Sequence, residues 1–553
     1  MNERRQTIWF FAIAFWVLAA GYGLRDPWPA DEPRFVLVAK QMVESGDWLF
    51  PHRGQELYAD KPPLFFWLLA LCQQAIGSWR WSFLLPSLLS GMGTLWLAFD
   101  LGRRLWNPRA GLWAAIAILS ALQFGYQFKH AQIDPTLVFF TTLSFYGICR
   151  HVLLGPHWRW FWIACFAAGL GVVLKGVGFL PLLALLPYAF MRRRAWHGLS
   201  PSNSGQRLRW SLGALAFFVA IALWFVPMLM AAVHGGDPEH RAYLDDLLFK
   251  QTATRYAESW HHRQPFWYFA EIIALFWLPF SLALPWLWRD WREAWRRRDA
   301  RVWLPLSWGL LVLLFFSLSP GKRDMYILPA LPAFALAAAP FADRLWSRPQ
   351  FRMALWAFVL VLGLLLFAVG ASALFGHWKF ASAFADERGL GAEVRWLWWL
   401  LAGLGAFALV GAAWWRPARV GLAVSCSLLA LWTGYGLVVQ PLLDATSSSH
   451  ALMQRARVLA GPGTEIGLID WQEQNLLQAI GPVAEFGFRA SRAVQLQRGE
   501  AWLRAAPGRQ LLVQASSEPE CLRLDDGHAL RVGVANRRVW WLADAAAIVV
   551  PCR

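Results

Sequence analysis

Long runs of apolar residues alternate with short polar segments along most of the chain. A helix needs about 20 apolar residues to cross the hydrocarbon core of a bilayer. About 13 runs satisfy this requirement and predict membrane spans at 8–24, 82–101, 110–128, 135–154, 159–174, 177–191, 210–233, 266–288, 302–318, 325–346, 353–374, 395–414 and 419–438. The pattern therefore predicts a polytopic α-helical membrane protein.

One further apolar run, PLFFWLLALCQQAIG at 63–77, is short for a membrane span. If it crossed the bilayer, the basic loops after it, such as Arg103/Arg104/Arg109 and Arg192–Arg194, would face outward. Cytoplasmic loops normally carry the excess of Lys and Arg. The charge pattern thus favours an amphipathic helix in the membrane interface and a cytoplasmic N-terminus.

The pattern changes after residue 438. The tail, 439–553, alternates short β-like stretches with turns: TEIGLID, PVAEFGF, RQLLVQA, HALRVGVAN and RRVWWLAD. Such stretches, bounded by Gly, Pro and Asn, predict strands. We expect a membrane domain at 1–438 with external loops at 25–81 and 234–265, and a small α/β domain on the periplasmic side of a cell inner membrane.

Composition supports the membrane assignment, because 57% of the 553 residues are hydrophobic and 16% are charged. Soluble domains have about 45–50% apolar and about 25% charged residues, so an ordinary soluble enzyme and a disordered chain are excluded. The net charge of +17 could indicate nucleic acid. The basic residues lie in short loops between apolar runs, however, and no nucleic-acid motif occurs, so the membrane is the expected partner.

Six cysteines are too few for a disulfide scaffold. Cys521 and Cys552 both fall in the predicted periplasmic tail, where the compartment is oxidising. The sequence leaves open whether they are bonded.

Two external acids precede predicted helices. Asp31, in WPADEPRF, comes before Pro33 and lies three residues from Arg34, so the two side chains share a helix face. Asp134, in HAQIDPTLVFF, lies at the external end of a span. Each pattern is also typical of a simple helix N-cap, and only a common site would give these acids a catalytic role.

Cations lie on the same predicted side of the membrane. In YADKPPLFF, Asp60 and Lys61 precede two prolines and an apolar run, so the Lys61 ammonium is held at headgroup height and suits a lipid phosphate. An anchoring lysine is the equally weighted alternative. The turn SPGKRDMYILPALP presents Lys322, Arg323 and Tyr326 in the same way.

Two other basic segments complete the set. Lys175, in VVLKGVGFLP, lies in an apolar hairpin and needs a partner or the surface. Arg255 lies in the second external loop, and a guanidinium binds phosphate in a bidentate way. His261 and His262 follow it, but adjacent side chains point apart on a helix and no metal motif accompanies them. We expect no required cofactor; a divalent metal is possible, but no motif supports it.

Together, acids and cations from distant parts of the chain are predicted at one membrane face. This arrangement suits a lipid-phosphate-linked donor whose tail lies between helices. No nucleotide-binding motif occurs, which argues against a nucleotide-sugar donor.

The segments DEPRF, DKPPLFFWL, HAQIDPTLVFF, LKGVGFLP, RYAE…HHRQPFWYF and KRDMYILPALP follow one another within residues 1–340. In this order they resemble the bacterial aminoarabinose transferases of lipid A and, more broadly, membrane glycosyltransferases of the C-type fold, including protein O-mannosyltransferases. The resemblance implies inverting transfer of 4-amino-4-deoxy-L-arabinose from undecaprenyl phosphate to a lipid A phosphate.

The resemblance also implies roles for individual residues. Asp31 and Asp134 match the essential acids of the family, while Lys61, Arg255 and Tyr326 match its ligands of the donor phosphate. Asp60 stands where the family often has Glu. Further substrate-binding candidates are Arg34, Asp60, Lys175, Lys322 and Arg323.

Two alternatives remain at this stage. A lipid-linked hexose transferase acting on protein, glycan or another lipid would need the same groups. A lipid-sugar transporter is the non-enzymatic alternative, but no internal repeat is evident and the polar candidates lie at helix ends, whereas transporters place them near the bilayer midplane.

Overall fold

The computed structural model describes residues 3–201, 206–248, 263–376, 378–515, 521–524 and 527–552. The described chain is mainly helical. Its α-helices are Glu3–Ala19, Glu32–Ser45, Leu64–Ile76, Trp79–Ser82, Leu85–Leu105, Pro108–Ser120, Leu122–Gln127, Ile133–Leu154, Trp158–Leu174, Leu185–Arg193, Arg207–His234, Pro238–Asp245, Tyr268–Phe276, Leu284–Arg296, Ala300–Leu318, Leu331–Ala338, Ala342–Ser347, Pro349–Phe375, Lys379–Arg388, Val394–Trp415, Val420–Gly434, Gln440–Ser447, His450–Ala460, Glu473–Leu477 and Arg492–Ala505. Shorter 3-10 segments are Gly176–Ala184, Phe280–Ala283, Asp324–Ala330, Ala339–Phe341, Pro417–Arg419 and Ala545–Ala547, and a π-helical turn covers Tyr435–Val439.

Within these residues, 8 helical stretches are long and apolar enough to cross a membrane, or up to 9 if one bent pair forms a single span. Three shorter apolar helices, Leu64–Ile76, Pro108–Ser120 and Trp158–Leu174, accompany them. The prediction of a multi-pass membrane protein is therefore confirmed. The count of about 13 spans remains a prediction.

Two of the predicted spans are not single helices. The run 266–288 bends by 104° between Tyr268–Phe276 and Phe280–Arg296, where Pro279 has no N–H to continue the helix. The run 110–128 breaks at Ala121, whose backbone is extended. The two breaks meet, because the Leu122 N–H donates to the Leu278 carbonyl over 3.0 Å.

Two other predicted segments differ in local structure. The predicted span 177–191 begins as the 3-10 segment Gly176–Ala184, which contains Pro181, and becomes α-helical only at Leu185. The helical stretch that starts at Pro417 continues to Ala460 beyond the predicted span 419–438, and the division of the chain into domains at residue 438 remains a prediction. Polar residues such as Gln440 and Asp444 extend this helix beyond its apolar part, which is where the hydropathy pattern ended.

The tail contains a five-stranded mixed sheet. A small hairpin in the first long loop supplies β1 (His52–Arg53) and β2 (Glu56–Leu57), and the tail sheet comprises β3 (Ile466–Leu468), β4 (Val483–Glu485), β5 (Gln510–Gln514), β6 (Ala529–Ala535) and β7 (Arg538–Ala543) in the order β4-β3-β5-β7-β6. Strand β3 is parallel to β4 and β5, whereas β7 is antiparallel to β5 and β6. A disulfide joins Cys521 and Cys552, with 5.1 Å between their Cα atoms, and both cysteines pack in an apolar cluster with Leu511 and Ala543 of this sheet.

One apolar core joins the first long loop, the membrane helices and the tail sheet. It includes Phe65 from the helix Leu64–Ile76, Trp224 from a long membrane helix, and Trp540 from β7. On the opposite face of the short helix, Leu71 is 54% exposed, whereas Phe65 is fully buried. The helix therefore buries one face in this core, and that face packs the site-bearing loop against the sheet.

Candidate active site

Asp31 lies just before the helix Glu32–Ser45, at the expected cap position. Its side chain makes no capping hydrogen bond. Instead, one carboxylate oxygen lies 3.5 Å from the Arg34 guanidinium and the other lies 3.5 Å from that of Arg323. The side chain is 16% exposed. The simple N-cap interpretation therefore fails here, and Asp31 is an accessible carboxylate between two cations.

Glu32, beside it, was not singled out from the sequence. It forms a fully buried pair with Arg25 and also accepts the N–H groups of Trp28 and Ala131, each over 2.8 Å. Burial alone would raise the pKa of Glu32, but the Arg25 guanidinium reverses the shift, and the pKa is lowered. The ionised pair fixes the Asp31 loop against the turn that leads to Asp134. Glu32 lies on the same buried face of the helix as Phe35, and this position is the sequence signal that could have identified it.

Asp134 starts the helix Ile133–Leu154 and is buried. It accepts a hydrogen bond from the Lys175 ammonium over 2.6 Å. That ammonium also lies 4.6 Å from the centre of the Tyr326 ring, within range of a cation–π interaction. The partner that Lys175 required is thus Asp134. Gly178 leaves no room for a side chain against Gly171, as expected for close packing.

The turn 322–326 links the two acids. Arg323 contacts Asp31 and its carbonyl accepts the Tyr326 N–H, while the Tyr326 ring covers Lys175. Lys322 is directed elsewhere, because its ammonium donates to the Gln264 carbonyl over 2.9 Å. The structure therefore joins Asp31, Asp134, Lys175, Arg323 and Tyr326 in one continuous set, and it gives Lys322 an anchoring contact.

Arg34 connects Asp31 to the tail. Its Nε donates to Glu473 over 2.7 Å, and the Arg53 guanidinium lies 3.5 Å from the same carboxylate. Arg53 also stacks on Phe488 at 3.8 Å. The tail thus contributes a buried acid to the arginines beside Asp31, which no sequence pattern indicated.

The segment that carries Asp60 and Lys61 lies beside these arginines. Burial, followed by the negative charge of Asp60, raises the pKa of Tyr58, while Arg34 and Arg53 oppose this shift. Asp60 and Lys61 follow Tyr58 directly in the chain, and their roles at the site remain predictions from the sequence.

A cavity of about 630 Å³ opens beside Asp31. Its walls come from the first loop, the helix Leu122–Gln127 with the turn after it, the 323 turn, two later helices and the tail hairpin. They consist of Trp28, Pro29, Ala30, Asp31, Glu32, Tyr126, His130, Gln132, Arg323, Arg388, Tyr435, Val439, Leu443, Thr446, Ser447, Asn536 and Arg537. Lys61, Asp134, Lys175 and Tyr326 are not part of this lining.

Arg255, His261 and His262 lie outside the described residues. Among the residues that are described, no group of three or more His, Cys, Asp or Glu side chains could hold a metal ion. That the protein requires no metal stays a prediction from the sequence.

The whole fold matches that of ArnT from Cupriavidus metallidurans bound to undecaprenyl phosphate, with a TM-score of 0.72, 20% identity and 99% of each chain covered. The Archaeoglobus fulgidus oligosaccharyltransferase in its apo form is more distant, with a TM-score of 0.50, 13% identity and coverage of 91% of this chain and 69% of that one. These likenesses show that the chain has the membrane-protein fold of ArnT, which the oligosaccharyltransferase shares more distantly.

The sequence gives the finer relation. Residues 60–224 match the family described as dolichyl-phosphate-mannose-protein mannosyltransferase. A Pseudomonas aeruginosa undecaprenyl phosphate-alpha-4-amino-4-deoxy-L-arabinose arabinosyl transferase is 32% identical over 471 residues, covering 82% of this chain and 78% of that protein. The chain therefore belongs to the family of undecaprenyl phosphate-aminoarabinose arabinosyl transferases.

Proposed function

We propose that the protein transfers 4-amino-4-deoxy-L-arabinose from undecaprenyl phosphate to a phosphate of lipid A, at the periplasmic face of the bacterial inner membrane. The sugar and its carrier are those in the name of the Pseudomonas aeruginosa relative. The observation that carries the proposal is Asp31, an accessible carboxylate that lies between Arg34 and Arg323 and lines a cavity.

In the proposed reaction the bond between the anomeric carbon and the donor phosphate breaks, and the undecaprenyl phosphate leaves with the electron pair. Fixed cations stabilise the charge that develops on it, and Lys61 and Arg255 have this role. An oxygen of the acceptor phosphate attacks the opposite face of the anomeric carbon, which inverts it. Because this oxygen is already anionic, it needs no general base, and Asp31 orients the sugar and pairs with its amine.

The proposed topology places the N-terminus in the cytoplasm, residues 1–438 mainly in the membrane and the tail in the periplasm. The disulfide between Cys521 and Cys552 supports an external tail, since disulfides persist in oxidising compartments.

The test is a transfer assay with the purified full chain in nanodiscs, undecaprenyl-phosphate aminoarabinose and lipid A, followed by mass spectrometry. We expect one aminoarabinose to be added for each available phosphate, and no reaction with dephosphorylated lipid A. A chelator should leave the rate unchanged. Efficient use of a polyprenyl-phosphate hexose, or transfer to a hydroxyl acceptor, would instead favour the hexose-transferase alternative, for which Asp31 would be the general base.

A further inference from the structure

Two arginines from outside the motif-bearing part of the chain meet at the cavity beside Asp31. Arg388 is the last residue of the helix Lys379–Arg388, and Arg537 lies in the turn between β6 and β7. Both line the cavity, together with Arg323.

The helix that carries Arg388 is fixed against the tail hairpin. It ends at Gly389, whose backbone is left-handed with φ 63°. A Cβ atom at this position would lie 3.1 Å from the Cβ of Val534 on β6. This close approach holds the end of the helix, and therefore Arg388, beside the hairpin.

The backbone at Arg537 is unusual for its residue type. Asn536 and Arg537 have φ values of 52° and 64°, both left-handed. A two-residue hairpin turn of this kind usually takes Asn-Gly, because a side chain at the second position is strained. Asn536 is also anchored, since its N–H donates to the Thr446 carbonyl over 2.9 Å. Strain that persists in a pinned turn is typical of functional positions.

The two guanidiniums are poorly neutralised. Within the described chain, the ion pair of Arg537 is a loose one of 3.8 Å to Glu387, and the Nε of Arg388 is buried without a hydrogen-bond partner. Burial and then the positive charge of Arg537 lower the pKa of Arg388, and the charge of Glu387 opposes this shift without reversing it. Like charges held together in this way are stabilised by a bound anion.

Two forked guanidiniums suit a phosphate group, which they bind through charge-assisted hydrogen bonds. We propose that Arg388 and Arg537 bind the phosphate of the acceptor lipid in the cavity beside Asp31. The inference rests on the proposed function, in which the donor and the acceptor each bring a phosphate. The donor-phosphate candidates Lys61 and Tyr326 do not line this cavity, so the acceptor phosphate would have cations of its own.

The first test is steady-state kinetics of the double variant Arg388→Gln/Arg537→Gln in nanodiscs. Loss of charge-assisted hydrogen bonds should raise the acceptor KM about tenfold or more, while the donor KM and kcat stay within about twofold of wild type. The double Lys variant keeps the charges and should recover part of the loss. Arg531→Gln changes an exposed arginine of β6 that does not line the cavity, and it should leave all three constants unchanged. An unchanged acceptor KM, or a change confined to the donor KM, would overturn the proposal.

The second test is equilibrium binding without donor. Wild-type protein should bind lipid A more tightly than its dephosphorylated form, and the double Gln variant should lose that preference. This binding experiment separates the two proposals. If the wild-type enzyme transfers aminoarabinose but its preference for phosphorylated lipid A does not depend on the two arginines, only the acceptor site is refuted. A wild-type enzyme with the preference but no transfer refutes the proposed function alone. Full displacement of lipid A by millimolar inorganic phosphate would identify a free-phosphate site and overturn the assignment to the acceptor.

Discussion

Asp31 and Asp134 match the family in the same way but occupy different environments. Asp31 has two cations at 3.5 Å, is 16% exposed and lines a cavity. Asp134 is 8% exposed and is paired with Lys175 at 2.6 Å. Its lysine in turn lies over the Tyr326 ring. One acid is available to a substrate, and the other is committed to a neighbour.

From this difference we infer that the two acids have different roles. Asp31 can contact the sugar directly, because its partners hold it loosely and leave it open to the cavity. Asp134 is bonded to Lys175, whose ammonium lies over the Tyr326 ring, and we propose that it acts by positioning these two residues. A short motif identifies both acids but does not distinguish an accessible carboxylate from a neutralised one.

The largest effect is expected from Asp31→Asn, which tests whether the accessible acid is the one that turnover requires. We expect turnover to fall on the order of 1000-fold, because the substitution removes the charge beside the reacting sugar. Thermal unfolding should change little, since Asp31 makes no capping bond. Glu44→Gln, which alters an exposed acid on the same helix, is the control and should behave as wild type. Near-normal turnover by a correctly inserted Asp31→Asn enzyme would contradict the assignment.

The second prediction concerns Asp134 and Lys175 as a unit. Removing one partner of a buried pair costs about 3–5 kcal/mol, so Asp134→Asn and Lys175→Met should each lower the thermal midpoint and reduce turnover. The double variant should recover stability towards wild type, because no unpaired charge is left, but it should not recover turnover. Thermal unfolding followed by tryptophan fluorescence measures the thermal midpoint. Strictly additive losses of stability would show that the pair is not coupled.

The smallest effect should come from the tail. Glu473→Gln weakens its hold on Arg34, and we expect turnover to fall about tenfold, consistent with the loss of a charge-assisted hydrogen bond. If Glu473 acts through Arg34, the two substitutions should not be additive. Arg34→Gln should then lower turnover less in the Glu473→Gln protein than it does in the wild type. Glu465→Gln removes a surface pair with Arg509 and should have no effect. Fully additive losses would separate Glu473 from Arg34.

Local patterns predicted the features that depend on local physics. Apolar runs gave the helical membrane architecture, and the stretches TEIGLID, RQLLVQA and RRVWWLAD coincide with β3, β5 and β7. The high cost of burying Lys175 without a partner predicted that it would find one. The helix spacing of Asp31 and Arg34 likewise predicted their contact.

The remaining features depend on residues that meet only after folding. Glu473 reaches Arg34 from the far end of the chain, and Arg388 and Arg537 lie in segments without any motif. The break at Ala121 was also hidden, because an apolar run looks the same whether its helix is straight or interrupted. Pro279 was visible, but proline is tolerated in membrane helices and does not by itself specify a bend of 104°.

The hydrogen bond between the two helix breaks has a consequence for biosynthesis. An apolar environment does not tolerate an unsatisfied amide, and the Leu122 amide finds its acceptor at Leu278. That acceptor is made only after several intervening helices have left the ribosome. The bond therefore ties an early helix break to a late one, and a change of backbone path at either break would leave a polar group of the other without its partner.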